Sequence, residues 1–553
     1  MAQIAKKCLG LPARTQTRRP PHRTRSRPGA RQVGQGAGIG YDYQMYANPL
    51  RVGLETERVA PPCAFVIFGA SGDLTRRKLI PALYNLNVSR LLPASFSMIG
   101  FANTESTTEQ FRANMHAGTA QFSRRKPVAD ATWLDFASRL HYVTGTFEDP
   151  AAYGRLREKL EELDQTAGTR GNRIYYLAIP PSLFPMAIEN LAKAGLVSDP
   201  NDRSRFTRII VEKPFGRDLA SGDALNQQLH KGFAESQIFR IDHYLGKETV
   251  QNLLAFRFGN EIFEPLWNRN HIDHVQISVA EDIGVEGRGK FYEEAGTTRD
   301  IVQNHLLQLL MVMAMEPPAA FEADAVRDEK VKVLRALRPI VGESVAKLTV
   351  RGQYAHGSFA GKPVVGYREE PNVSPHSMIE TYVAMKLEVD NWRWAGVPIY
   401  IRAGKRLTKR STEISIHFKR VPHSLLSPKE PITPDVLALR IQPDDGISLR
   451  FMAKVPGPSM ILRPVNMDFH YGTTFAESSP EAYERLNLDC MLGDPTLFAR
   501  ADEVSAAWRF ITPVIEAWQH GDQPTFPNYH AGTWGPDDAA RLIEKDGRAW
   551  RRL

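Results

Sequence analysis

Cysteine is nearly absent from this chain: Cys8, Cys63 and Cys490 are the only three in 553 residues, and no C-x-x-C pair occurs. That excludes a disulfide framework and a thiolate zinc site, and it points to a reducing compartment. Long apolar runs are missing too. Stretches such as Leu309 to Met315 fall far short of the ~18 residues that a membrane-spanning helix needs. Acidic residues are missing from one place, positions 1–41, which hold nine Lys or Arg and no Asp or Glu. Setting that tail aside removes the formal charge of +8 and leaves 61 basic against 62 acidic residues over 42–553. The basic excess belongs to the tail, so it does not mark the body as a nucleic-acid binder. Three readings of the tail stay open: a solvated extension without function, upstream of a start at Met45; an organellar targeting segment, for which the single Ser26 is a poor fit; or an electrostatic arm.

What remains is an ordinary globular composition, 42% hydrophobic and 24% charged, long enough for two to four domains at ~100–200 residues each. From Ala64 to about Arg240, β-rich runs (Phe65–Phe68, Ser97–Phe101, His141–Thr144, Arg173–Ile179, Arg208–Val211) alternate with helical stretches such as Lys78–Leu86, Ala152–Leu163 and Phe184–Ala194. That rhythm predicts a parallel, doubly wound sheet. After about Leu245 the strands come in succession. Ile414, Ile416 and Phe418 alternate with polar residues, as do Ile447, Leu449 and Phe451; Val383, Met385, Leu387 and Val389 share the spacing. Gly446 in Asp445-Gly446 is expected to supply a positive φ for a tight hairpin. With helices over Thr298–Met315 and Ala323–Leu337, this half reads as an α+β domain with a large, mostly antiparallel sheet.

Three constellations carry chemistry. Phe65-Val66-Ile67-Phe68-Gly69-Ala70-Ser71-Gly72-Asp73-Leu74 is a buried strand running into a glycine turn and a helix from about Arg76, the arrangement in which backbone amides and a helix N-terminus hold a pyrophosphate. It has the G-x-x-G spacing without the full dinucleotide fingerprint, so a plain turn is also open. At the next strand tip, where a carboxylate selects NAD and an arginine NADP, stands Asn103. Arg240-Ile241-Asp242-His243-Tyr244-Leu245-Gly246-Lys247-Glu248 is the densest polar block. If helical, it puts His243 and Lys247 on one face, suited to a phosphate monoester, although Gly246 weakens the helix. In Arg299–Leu310 an apolar helix carries one imidazole, His305, able to take a hydroxyl proton at neutral pH or simply to sit in the core. Asp300, five positions earlier, is expected to face elsewhere. The basic run Arg402–Arg410 follows a strand, where an anionic substrate is held if a cleft lies alongside.

Together with Glu212-Lys213-Pro214-Phe215-Gly216, Gln303-Asn304-His305, Arg402-Ala403-Gly404-Lys405-Arg406-Leu407, Pro480–Leu486 and Trp534-Gly535-Pro536, these blocks resemble the glucose-6-phosphate dehydrogenase family over about residues 62–550. The resemblance implies a Rossmann-like coenzyme domain at 60–242 after a basic, disordered extension at 1–59, and an α+β substrate and oligomerisation domain at 243–553. It implies a cytoplasmic homodimer or homotetramer that oxidises D-glucose 6-phosphate at C1 to 6-phospho-D-glucono-1,5-lactone, the first step of the pentose phosphate pathway. NADP is the implied coenzyme, with NAD as second candidate; no metal, membrane or nucleic-acid partner is implied. By motif position, His305 is the general base and Asp242 orients it. His243, Tyr244, Lys247 and Arg410 grip the phosphate, and Lys213, Glu281, Asp300 and Lys405 position the sugar. Gly69, Ser71, Gly72, Asp73, Leu74, Lys78, Asn103 and Lys213 line the coenzyme. Lys213-Pro214 is expected to be cis.

Asn103 departs from the arginine of NADP-preferring members. Its loss removes a charge-assisted contact worth ~1.5–3 kcal/mol, so weak discrimination between coenzymes is expected, with Arg76, Arg77 or Lys78 as replacements. Ser411 and Ser415 stand where some eukaryotic members have basic residues of an extra nucleotide site, leaving that site unsupported. The rival from another class, a non-catalytic NADP-binding scaffold with a nucleic-acid-binding tail, is opposed by the joint presence of His305, Asp242 and Lys247.

Overall fold

A computed structural model describes residues 59–423, 426, 432–475 and 479–553. The basic tail, with Cys8 and Met45, lies outside the described residues; Cys63 and Cys490 are both buried. Six strands, β1 (Cys63–Phe68), β2 (Phe96–Ala102), β3 (Leu140–Thr144), β4 (Arg173–Leu177), β5 (Thr207–Val211) and β6 (Ile238–Arg240), form an all-parallel sheet in the order β3-β2-β1-β4-β5-β6. This is the dinucleotide-fold order, which reverses between β1 and β4. Every residue of β1 is buried, because crossover helices cover both faces, and its sequence is accordingly an unbroken apolar run. Helix Thr108–Phe122 starts on a capping box in which the Thr107 hydroxyl accepts from the Gln110 amide, satisfying donors that the first turn leaves free.

The second sheet contains β7 (Ile272–Ala280), β8 (Thr349–Gly352), β9 (Tyr382–Leu387), β10 (Ile399–Gly404), β11 (Ser411–Phe418), β12 (Val436–Gln442), β13 (Gly446–Lys454) and β14 (Leu462–His470), ordered β14-β13-β12-β11-β7-β10-β9-β8. Only β7 and β10 pair in parallel. The alternation in β9 divides two apolar clusters rather than core from solvent: Val383, Met385 and Leu387 enter the main core, while Tyr382 and Ala384 enter a second cluster. Edge strand β14 is largely exposed, with Val465 38% and Met467 63% accessible.

The hairpin between β12 and β13 forms as expected, but Gly446 is not among the residues with positive φ. The turn is longer than the tight one expected, since the β12–β13 ladder closes at Arg440 and Gly446. Gly446 is required there by closeness, because a Cβ would lie 2.3 Å from the Phe469 carbonyl oxygen.

The segment expected as one helix over Thr298–Met315 is two. Thr298–Leu306 is a π-helix, continued by an α-helix over Leu307–Ala314. The far end of this rod is pinned by buried donors. Arg257 donates to the carbonyls of Val312, Met313 and Met315, and the indoles of Trp267 and Trp394 donate to those of Met313 and Ala314. A cation at a helix C-terminus also meets the negative end of the dipole.

Candidate active site

The glycine turn sits at the carboxyl ends of β1 and β4. Gly69 has φ +82°, and a Cβ there would come 2.4 Å from the Ala178 carbonyl oxygen, so the turn tolerates only glycine. Ser71, Gly72 and Asp73 are exposed at the mouth, and the helix that follows opens at Asp73 with amide donors that no intrahelical acceptor satisfies. Neutral side chains finish the rim: Thr104, at the β2 tip, donates from its hydroxyl to Ser71 Oγ at 3.0 Å, beside exposed Asn103. This cradle of a strand end, close-packed glycine and helix N-terminus fits a pyrophosphate. Of the neighbouring cations, Arg77 pairs with Asp73 and Lys78 with Glu481, at 3.3 and 2.9 Å. Arg76 makes no ion pair among the described residues, and Leu74 is half-buried on the same helix.

The polar block after β6 is not a helix. Residues 243–246 form a turn that follows two irregular residues, and the helix begins only at Glu248, with Lys247 at its N-cap. Asp242 explains this: its carboxylate accepts from the Tyr244 amide at 3.0 Å, a local bond that competes with helix formation. His243 and Lys247 therefore converge through turn geometry rather than helical spacing.

Asp242 Oδ1 lies 2.5 Å from His305 Nδ1, and both side chains are almost fully buried. Nδ1–H donates to the carboxylate, which leaves the Nε2 lone pair to accept from Lys213 Nζ at 2.8 Å. Lys213 also donates to Asp300, to the carbonyl at 3.0 Å and to Oδ1 at 3.1 Å. Asp300 and His305 therefore meet on one ammonium, contrary to the expectation from α-helical spacing. The reason is the π-helix: its i→i+5 repeat brings positions five apart onto nearly the same face. Lys213-Pro214 is cis, as expected.

Electrostatics set the protonation states. Burial lowers the His305 pKa below its ordinary value, opposed by Asp242 and reinforced by Lys213. Burial would raise Asp242, but pairing with His305, by charge while the ring is protonated at low pH and by the hydrogen bond from Nδ1, holds it well below the carboxylate range. The pair thus stands as a carboxylate and a neutral imidazole at neutral pH. For Asp300, burial is outweighed by Lys213, then Lys405 and His305, which bring it down to about 2. Lys405 in turn bonds Glu281 at 2.6 Å.

Tyr244 stacks on His305 with centroids 4.2 Å apart, and His243 meets the same ring edge-on at 4.6 Å. Burial lowers the His243 pKa well below its ordinary value, reinforced by His305 whenever that ring is protonated and by Lys213, so the ring is neutral. Lys247 lies 5.1 Å from the Tyr244 ring, and burial, then Arg410, lowers its pKa to about 8. Lys247 and Arg410 both donate to the Gln442 amide oxygen, at 2.5 and 3.3 Å. Gln442, itself bonded to Thr412, was missed in the sequence: an uncharged residue at a strand end carries no signal until the fold sets it between two cations. Asp242, His243 and His305 also have ligand atoms within 4.8 Å of one another, a donor set suited to a transition metal. The Lys213 ammonium at His305 Nε2 places a positive charge inside that shell and opposes a cation. Ser411 and Ser415 are buried in β11.

Known proteins resemble this chain along most of its length. Residues 66–252 match the family description "Glucose-6-phosphate dehydrogenase, NAD binding domain", and residues 254–551 match "Glucose-6-phosphate dehydrogenase, C-terminal domain". The glucose-6-phosphate 1-dehydrogenase of Chlamydia pneumoniae is 50% identical over 506 residues, 91% of this chain and 98% of that one. Glucose-6-phosphate 1-dehydrogenase 2 of Mycobacterium tuberculosis is 47% identical over 512 residues, 92% and 98% of the two chains. A solved glucose-6-phosphate dehydrogenase in complex with its substrate glucose-6-phosphate superposes with TM-score 0.81 at 35% identity, covering 90% of this chain and all of that one. The Mycobacterium avium enzyme gives 0.74 at 38%, covering 89% and 99%. A dinucleotide-type sheet, a buried Asp–His pair at its carboxyl edge and likeness running through both halves lead to one conclusion: the chain belongs to the glucose-6-phosphate dehydrogenase family.

Proposed function

We propose that this chain oxidises D-glucose 6-phosphate at C1 to 6-phospho-D-glucono-1,5-lactone with NADP or NAD as oxidant. The observation that carries this is the Asp242–His305 hydrogen bond, whose geometry leaves Nε2 of a neutral imidazole as acceptor. The C1 hydroxyl displaces the Lys213 ammonium from His305 Nε2, which then takes the hydroxyl proton, and Asp242 fixes the tautomer and stabilises the imidazolium that forms. Bound nicotinamide supplies the acceptor for the C1 hydride. Lys213 and Asp300, with Lys405 and Glu281, hold the ring hydroxyls so that the C1–H faces the coenzyme side. His243, Tyr244, Lys247 and Arg410 take the phosphate, whose oxygens replace the Gln442 amide between the two cations.

Gly69, Ser71, Gly72, Asp73 and Leu74 hold the coenzyme pyrophosphate, with Lys213 at its nicotinamide end and Lys78 and Asn103 at its edge. Discrimination between NADP and NAD is weak, since among the described residues the rim beside Asn103 offers neither an arginine fork nor a selecting carboxylate; Arg76 is a nearby cation without an acidic partner among those residues. Residues 60–242 serve as coenzyme domain and 243–553 as substrate and oligomerisation domain of a cytoplasmic homodimer or homotetramer, a reading supported by the exposed Val465 and Met467 on β14. No described helix is long and apolar enough to cross a membrane.

Mixing the protein with glucose 6-phosphate and either coenzyme should raise the near-ultraviolet absorbance of reduced nicotinamide. His305→Asn should abolish that turnover while leaving sugar-phosphate binding nearly intact; equal loss of both would move the base elsewhere.

A further inference from the structure

The rod that carries Asp300 and His305 is pinned at its far end by Arg257, Trp267 and Trp394. Its near end is held by one carboxylate that no part of the reaction uses. Glu380, 6% exposed, lies just before β9. Its Oε1 accepts from the Thr298 amide at 3.0 Å and from the Thr298 hydroxyl at 2.6 Å, while its backbone carbonyl accepts from the Thr297 amide at 3.1 Å. Thr298 is the first residue of the π-helix. Immediately before it the chain breaks at Gly296, with φ +61° and ψ 178°. The carboxylate lies against that break so closely that a Cβ on Gly296 would sit 2.6 Å from Glu380 Oε1 and 3.0 Å from Oε2.

We infer that Glu380 is a positioning residue that sets the register of the π-helix and thereby brings Asp300 and His305 together on Lys213. A negative group at a helix N-terminus meets both unsatisfied amides and the positive end of the dipole. A π-helix gives up the commoner α repeat, so something outside it must favour the wider turn. An α repeat would rotate Asp300 away from His305. The same segment ties this register to the sugar side of the site, because the carbonyl of the adjacent Thr381 accepts from the Lys405 amide at 2.9 Å. One short segment thus places Asp300 and His305 from its side chain and Lys405 from its backbone.

The inference rests on His305 as the base, so one readout of its test is independent of turnover: the downfield proton signal of the His305–Asp242 hydrogen bond, assigned by its loss in His305→Asn. Glu380→Ala should lower kcat about a hundredfold, the cost of a misplacement near 1 Å, with KM for glucose 6-phosphate within about threefold, and should shift or erase the proton signal. Glu380→Gln keeps an oxygen acceptor for both Thr298 donors and should restore kcat to within about fivefold and the signal to its place. Thr298→Val, which removes the hydroxyl donor alone, should lower kcat by about tenfold and serves if Glu380→Ala does not fold. The inference is overturned by a Glu380→Ala enzyme with kcat within threefold of the parent, by a folded Glu380→Gln enzyme as impaired as Glu380→Ala, or by an unchanged proton signal in Glu380→Ala. Turnover surviving in His305→Asn would refute the base and leave the proton signal to judge the positioning.

Discussion

Replacing Asp242 by Asn isolates the buried pair. In the resting protein the carboxylate accepts one short hydrogen bond from a neutral ring, and Asp242 Oδ2 has no partner among the described residues. In the proposed reaction the ring becomes an imidazolium, so the carboxylate's full value would appear only as the proton arrives. Removing one member of a buried ion pair costs ~3–5 kcal/mol, and at 1.36 kcal/mol per tenfold this predicts a kcat about 150- to 5,000-fold lower. Asn also permits the other tautomer, because its N–H₂ can donate to Nδ1 and leave the proton on Nε2. Asp242 bonds the Tyr244 amide and His305 and is not among the groups assigned to the sugar or its phosphate, so KM should hold within about threefold.

Initial rates of coenzyme reduction at saturating sugar phosphate, with circular dichroism to confirm folding, give the comparison. A kcat within tenfold of the parent would refute the reasoning. The pH profile adds a sign. Burial lowers the His305 pKa and Asp242 raises it, so removing the carboxylate leaves burial unopposed. The acid limb of kcat/KM should move to lower pH; a move to higher pH would mean that the pair is not electrostatically coupled as described.

Lys247→Gln should raise KM for glucose 6-phosphate by about 10- to 150-fold, the worth of a hydrogen bond to a charged group, with kcat nearly unchanged; a kcat defect at constant KM would remove Lys247 from the phosphate grip. In the parent enzyme, kcat/KM should fall above about pH 8 as the Lys247 ammonium, lowered by burial, loses its proton; a profile flat to pH 10 would contradict this. Initial rates with the two coenzymes should differ by less than about a thousandfold and Asn103→Arg should widen the preference for NADP by about 10- to 150-fold, whereas an unchanged ratio would place the selecting contact elsewhere. Gly69→Ala, strained at φ +82° and driven into the Ala178 carbonyl, should lose at least ~1–3 kcal/mol in urea unfolding; parent-like stability would show that the turn can shift.

Much of this molecule was legible in its residues because burial leaves a periodic trace. The run at β1 is apolar on both faces, those at β2 to β5 are β-rich between helical stretches, and those at β11 and β13 alternate. β6 escaped because three residues, Ile238–Arg240, are too few to show a period. Local chemistry was harder to read. The turn at 243–246 depends on one carboxylate choosing the Tyr244 amide, and the π-helix depends on a partner, Glu380, some eighty positions away. Composition gives neither. Asp300 was therefore assigned the wrong direction, and Gln442 went unnoticed for want of charge. His305 could be nominated from its chemistry, but only the fold brings it to Asp242.

Asp242 follows the last strand of the parallel sheet, Lys213 follows the strand before it, and His305 arrives from the helix packed beneath the other sheet. The proposed proton acceptor is thus assembled across a seam rather than within either layer. Neither half, made separately, would contain it, and a motion that parted the two sheets would draw Asp242 and Lys213 together away from His305 and Asp300.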